Sequence, residues 1–109
     1  MLSQIEQDCL RACNECAAAC LQCASACMRE PDVNAMVDCI ALDLECADIC
    51  SLAAASIARG DAHRHSVCSL CVIVCEASAV ECGKHAMAHC QQCANACANC
   101  ARACRSMKQ

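Results

Sequence analysis

The stretch CLRACNECAAACLQCASAC places thiols at Cys9, Cys13, Cys16, Cys20, Cys23 and Cys27, in steps of four, three, four, three and four. The C-terminal part repeats the pattern with Cys90, Cys93, Cys97, Cys100 and Cys104. Alternating threes and fours average 3.5 residues, the repeat that keeps one stripe of a helix facing its packing partner. Two central segments hold the register with a few substitutions. One reads Met36, Cys39, Asp43, Cys46, Cys50, and the other Cys68, Cys71, Cys75, Ser78, Cys82, His85. Eighteen cysteines in 109 residues therefore fall on the inward stripe of four helices.

Cysteine alone packs as a small hydrophobe. Ala or Val would fill such seams without a reactive thiol, so packing does not explain eighteen of them. A disulfide framework is the usual meaning of so much Cys in a short chain. Most neighbours here lie at i,i+3 or i,i+4 of one helix, where Cβ atoms are about 5–6 Å apart. A disulfide wants roughly 3.5–4.5 Å. A metal ion relaxes that limit by filling the gap between two sulfurs, and the Cys-x-x-x-Cys pairs become two-sulfur clips. Zinc favours discrete closed quartets. Iron–sulfur proteins use discrete runs such as C-x2-C-x2-C-x3-C-P, and no Cys here precedes a Pro. Cu(I) is soft, selects thiolates and accepts few ligands, so thiolates can bridge successive ions. Two thiolates per ion and two ions per thiolate give roughly one ion per Cys, about eighteen per chain. The expectation is high-capacity storage and buffering of Cu(I). The alternative left open is a Cys-ligated zinc or iron–sulfur protein, or a thiol redox protein.

The elements that must position these thiols follow from sparse punctuation, since Pro31, Gly60 and Gly83 are the only Pro and Gly. Ala-rich stretches between them favour helix. SQIE at residues 3–6 is a capping-box start. The first helix is expected to run to about Met28. The second has Pro31 and Asp32 in its first turn and ends at Arg59 before a left-handed Gly60. Asp61 is expected to cap a third helix reaching Cys82, and a fourth runs from about His85 to Arg105. Short connections make neighbours antiparallel, so residues 1–109 are expected to form one all-α domain, an up-down-up-down four-helix bundle with a Cys-lined core.

The chain resembles the copper storage proteins, Cys-lined four-helix bundles that hold many Cu(I) ions. The likeness is strongest in ECGKHAMAHCQQCANACANCARAC, similar to that family's final helix, and the Cys ladder extends it over residues 5 to 107. The resemblance implies a homotetramer. Asp43 and Ser78 depart from the ladder where a thiol is expected. MLSQIEQDCL has neither the basic nor the apolar part of a signal peptide, so the expected address is cytoplasmic, like that family's cytosolic branch. No uninterrupted apolar run reaches the roughly 18 residues of a membrane span.

Antiparallel topology gathers Met28, Met36, His85, Met87 and His89 at one end. Thioether and imidazole bind Cu(I) without charge and less tightly than thiolate, which suits a mouth through which ions pass. Met36, His85, Met87 and His89 are therefore added to the eighteen Cys as expected ligands, while Met28 lies off register. His63 and His65 are read as surface residues at the other end. A second apolar stripe, with Val33, Val37, Ile40 and Leu44 on one helix and Leu70, Ile73, Val74 and Val80 on the next, points to association through helices 2 and 3. The net charge of −4, without basic stripe or aromatic platform, gives nucleic-acid binding no support. No cysteine is singled out by a neighbouring base, so an enzyme is not expected. Copper ions exchanged with a chaperone or small thiols are the expected partners.

Overall fold

The structure is a computed structural model that describes residues 1–107. Four helices carry the fold: α1 (Gln4–Cys27), α2 (Val37–Arg59), α3 (Arg64–Gly83) and α4 (Ala88–Arg105). α1 packs on α2 and α4, and α3 packs on the same two, so α1 and α3 are diagonal partners. The result is a rod 47 × 18 × 17 Å.

Helix α1 begins as its sequence dictates. Ser3 Oγ accepts from the Glu6 amide at 3.1 Å, and Glu6 Oε1 accepts from the Ser3 amide at 2.9 Å. Two otherwise orphaned N–H groups are thereby satisfied at the end of the rod where the chain starts. α2 ends as expected, with Gly60 at φ 65° and its amide donating to Ile57 and Ser56 carbonyls. Among the described residues it is the only one in the left-handed region.

Three boundaries differ from expectation. Pro31 and Asp32 do not open α2: a 3₁₀ turn, Val33–Met36, intervenes and Asp32 makes no capping bond with its side chain. This tighter turn swings Met36 fully under cover while α2 starts at Val37. Asp61 does not sit at the N-cap of α3. Its carboxylate accepts from Ser56 Oγ at 2.6 Å, Arg59 at 3.0 Å and the His63 amide at 3.0 Å, locking the α2–α3 turn from within. α3 ends at Gly83 as expected, but α4 starts only at Ala88 instead of about His85. His85 and Met87 consequently lie in the α3–α4 connection.

The interior is sulfur. All eighteen cysteines are buried, and most are completely covered. Ala12, Ala17, Ala24, Ala47, Ala53, Ala54 and Ala101 fill the spaces beside them, small enough for the helices to approach closely. One end of the rod is closed by apolar side chains, with Ile57 fully buried and Met107 nearly so. There His65 Nδ1 lies 3.4 Å from the Met107 carbonyl and Arg64 Nε 3.5 Å from Glu6 Oε2, tying the turn to both chain ends.

α3 is long and apolar enough to cross a membrane by length and composition. Its thiols nevertheless face the other three helices, as those of a packed bundle helix do. The expected apolar stripe is only partly outward. Val33, Val37, Leu44, Leu70, Ile73 and Val80 are exposed, the last two by 66% and 65%. Val74 is buried and Ile40 packs against the core, sealing gaps between helices.

Because helix propensity and small-residue packing build this bundle without any bound group, the reduced metal-free protein is expected to show full helical circular dichroism. Replacing Gly60 by Ala puts a Cβ into a left-handed turn and is expected to destabilise the protein by about 1–2 kcal/mol in denaturant unfolding.

Candidate metal centre

Along each helix, thiols four residues apart come together. Sγ–Sγ distances are 4.0 Å for Cys16/Cys20, 3.8 Å for Cys23/Cys27 and Cys46/Cys50, 3.7 Å for Cys71/Cys75 and 4.0 Å for Cys93/Cys97. Contacts between helices are as close. Cys9 lies 3.6 Å from Cys104, Cys100 3.7 Å from Cys13, Cys46 3.6 Å from Cys75, and Cys39 3.3 Å from Cys82. All the cysteines are free thiols. The helix spacing fixes the first set of distances and the bundle register fixes the second.

These contacts assemble four-sulfur groups whose members all lie within 4.8 Å of one another. Cys13, Cys71, Cys100 and Cys104 form one, and Cys50, Cys71, Cys75 and Cys100 the next. Then follow Cys16, Cys46, Cys50 and Cys75, and after them Cys16, Cys20, Cys46 and Cys97. Successive groups share two thiols each, so they cannot all be closed sites holding one ion with four sulfurs to itself. At a metal–sulfur distance of about 2.3 Å, the observed separations correspond to S–metal–S angles of about 90–120°. The angles admit trigonal or tetrahedral coordination. Sharing of thiols is what favours bridged ions over isolated ones.

A further quartet, Cys23, Cys27, Cys39 and Cys90, shares no thiol with those four and lies at the end where the α1–α2 and α3–α4 connections meet. Between it and the rest of the column stands Asp43, completely buried. Its Oδ1 accepts from Cys93 at 3.1 Å and from Cys82 at 3.3 Å, and its Oδ2 from Cys39 at 3.8 Å. Ser78 occupies the facing ladder position and its Oγ accepts from Cys97 at 3.4 Å. The two substitutions in the ladder are thus hydrogen-bonded to thiols on either side of them. Cys68 lies at the opposite, closed end, fully covered beside Cys9 and Cys104.

The mouth residues separate into those that reach the thiols and those that do not. His89 Nδ1 lies 3.5 Å from Cys23 and Cys90 and 4.0 Å from Cys27. Met36 is buried in the core and Met87 is half-buried against it. His85 turns to Glu81, its Nε2 2.9 Å from Oε2, instead of to a thiol. The end of α3 at Gly83 explains this, because His85 falls outside the helix whose ladder it was expected to extend. Met28 is exposed. Glu30, just beyond the end of α1, places its carboxylate 2.9 Å from His89 Nε2. The contact joins residues far apart in the chain, and local spacing held no signal for it.

Burial makes the thiols nearest the mouth weaker acids. It raises Cys90 to about 11 and is also the first cause of the upward shifts of Cys23 and Cys39. Burial pushes Asp43 up as well, opposed by hydrogen bonds from Cys93, Cys23 and Cys82. In the metal-free protein Cys23, Cys39 and Cys90 are therefore neutral S–H groups. A raised thiol pKa stabilises the fold fully below the unfolded value near 9, and that contribution is lost as pH rises through the folded value. The melting temperature of the reduced metal-free protein is expected to hold steady from pH 7 to 9 and to fall between pH 9 and 11.

Comparison with known proteins agrees with this geometry. A family model described as copper storage protein matches residues 2–109. A cysteine-rich protein of Bacillus subtilis (strain 168), YhjQ, is 43% identical over 106 residues, covering 97% of this chain and 98% of its own. The Cu(I)-bound copper storage protein BsCsp3 superposes with a TM-score of 0.92 at 43% identity, over 97% of this chain and all of that one. A cytosolic copper storage protein from Streptomyces lividans carrying five coppers superposes at 0.91 and 37% identity, over 94% of this chain and 91% of that one. With the family matched along nearly its whole length, and its thiols gathered in one buried column, this chain belongs to the copper storage protein family.

Proposed function

We propose that the chain stores and buffers Cu(I) on the thiolates lining its bundle, in the cytoplasm and without catalysing a reaction. The observation that carries this reading is the sharing of thiols between successive four-sulfur groups. A soft ion that accepts few ligands can occupy such a column throughout, each thiolate bridging neighbouring ions. The proposed ligands are the eighteen Cys, with Met36, Met87 and His89 at the mouth. His85 is left out, because its hydrogen bonding goes to Glu81.

Charge supports the same stoichiometry. Each thiol that binds an ion gives its proton to water, so one Cu(I) per thiolate leaves the interior neutral. A closed site of four thiolates around Zn(II) would carry two net negative charges, and a row of them in this low-dielectric core would be strongly unfavourable. About one ion per Cys, roughly eighteen per chain, satisfies coordination and neutrality together. His89 and the methionines bind without a proton to lose, which suits residues that hand ions inward. Cu(I) would come from a chaperone or small thiols that compete for it.

The exposed stripe of Val37, Leu44, Leu70, Ile73 and Val80 supports assembly of bundles through α2 and α3, and a homotetramer is the proposed state. Its mouths would remain open to ligand exchange because the stripe runs along the flank of the rod.

An anaerobic titration of the reduced, metal-free protein with Cu(I) against a chromophoric chelator tests the storage reading. The expected endpoint is well above ten ions per chain with helicity intact. Saturation at about four ions would return the site to closed tetrahedral chemistry. Binding is expected to release protons and to weaken as pH falls from 8 to 6, because buried thiols held protonated must ionise first.

A further inference from the structure

His89 uses its two ring nitrogens in opposite directions. Nδ1 looks into the rod, toward the sulfurs of Cys23, Cys27 and Cys90, while Nε2 looks outward to Glu30 Oε1 at 2.9 Å. A carboxylate oxygen only accepts, so this contact places the imidazole proton on Nε2 and leaves the Nδ1 lone pair facing the thiols. Glu30 is itself anchored beside the site, since its amide donates to the Cys27 carbonyl at 3.2 Å. Both side chains remain partly open, with relative exposures of 24% for His89 and 26% for Glu30. The pair therefore stands at the border between solvent and the thiols.

His85 provides an internal contrast. It too pairs with a carboxylate through Nε2, but Glu81 lies four residues back in its own segment. Only His89 combines a carboxylate from another segment with thiols on the opposite nitrogen. We propose that Glu30 is a positioning residue for copper uptake: it fixes the tautomer and orientation of His89 so that Nδ1 can take an incoming Cu(I) and pass it to the Cys23, Cys27, Cys39 and Cys90 quartet. This deepens the storage reading and rests on it. Carboxylates that orient a ligating imidazole are general in metal sites, and their loss commonly lowers affinity or activity by about 10–100-fold.

The test combines kinetics with a signal from the metal-free protein. Cu(I) transfer from a chromophoric chelator complex is followed anaerobically for the native chain, Glu30→Ala, Glu30→Gln, His89→Ala and the Glu30→Ala/His89→Ala pair. Glu30→Ala is expected to slow the first equivalents about tenfold and leave the final capacity unchanged. Glu30→Gln, which keeps an acceptor, restores most of the rate. Adding Glu30→Ala to His89→Ala changes nothing further, because the carboxylate acts through the ring. Nitrogen-15 spectra of the metal-free protein at pH 8 should show His89 as a single Nε2–H tautomer that becomes mixed in Glu30→Ala. Equal slowing by Glu30→Ala with and without His89 would overturn the proposal, reducing Glu30 to a surface charge near the mouth. An unchanged rate together with an unchanged His89 tautomer would also overturn it. A low final capacity in the native chain would instead refute storage itself, whatever the tautomer result.

Discussion

Contact between thiols across the bundle axis is the interaction on which the rest of the structure depends. A chain with no Phe, Tyr or Trp must close its core with small groups, and here buried sulfur runs from Cys9 and Cys104 at one end to Cys27 and Cys90 at the other. The helices can approach closely because alanines lie between the cysteines. That approach brings thiols within 3.3–4.0 Å across as well as along the helices. The packing that makes the fold is thus the arrangement that makes the metal column, and neither can be altered alone. A mid-sized aliphatic in place of a central Cys would both overfill the seam and remove a bridge.

The two ends of the rod have different chemistry, and topology assigns it. The α2–α3 turn and both chain ends meet where Ile57 and Met107 seal the column. The α1–α2 and α3–α4 connections meet at the opposite end, where His89, Glu30, Met36 and Met87 collect around a quartet that shares no thiol with the four connected groups deeper in the rod. Asp43 sits where this outer quartet meets the deeper thiols, hydrogen-bonding to Cys39, Cys82 and Cys93. An ion moving inward would pass from neutral ligands to an outer set of thiolates and then past a carboxylate to the shared groups. The other end offers apolar side chains over Cys9, Cys68 and Cys104, which give a charged ion no comparable path.

Most of the site was legible because its signal is periodic. The three-four alternation of Cys in helices α1 and α4 needs no tertiary information to place the thiols on one stripe, and the capping box of Ser3 and Glu6 and the left-handed Gly60 are equally local. What escaped depends on contacts between distant segments or on tight turns. His85 and His89 look equivalent in sequence, but the late start of α4 leaves one in a connection and puts the other over three thiols. Glu30 gains its place only when the first connection folds against α4. The 3₁₀ turn before α2 displaced the expected role of Pro31 and Asp32, and Asp61 ties Ser56 and Arg59 to the His63 amide instead of being the N-cap of α3 itself. Val74 and Ile40 show the limit of reading a second apolar stripe, since a helix flank can seal a gap as readily as face a partner.

The central claim is that copper occupies the interior column as bridged ions on shared thiolates. Crystals of the fully loaded protein, measured on both sides of the copper absorption edge, test it most directly by locating every ion through its anomalous signal. The account predicts a continuous file of copper along the bundle axis, from the His89 end to Cys9, Cys68 and Cys104, with thiolates shared between neighbouring ions. Copper confined to a few isolated four-sulfur sites, or to histidines and carboxylates on the surface with the thiols unoccupied, would contradict it.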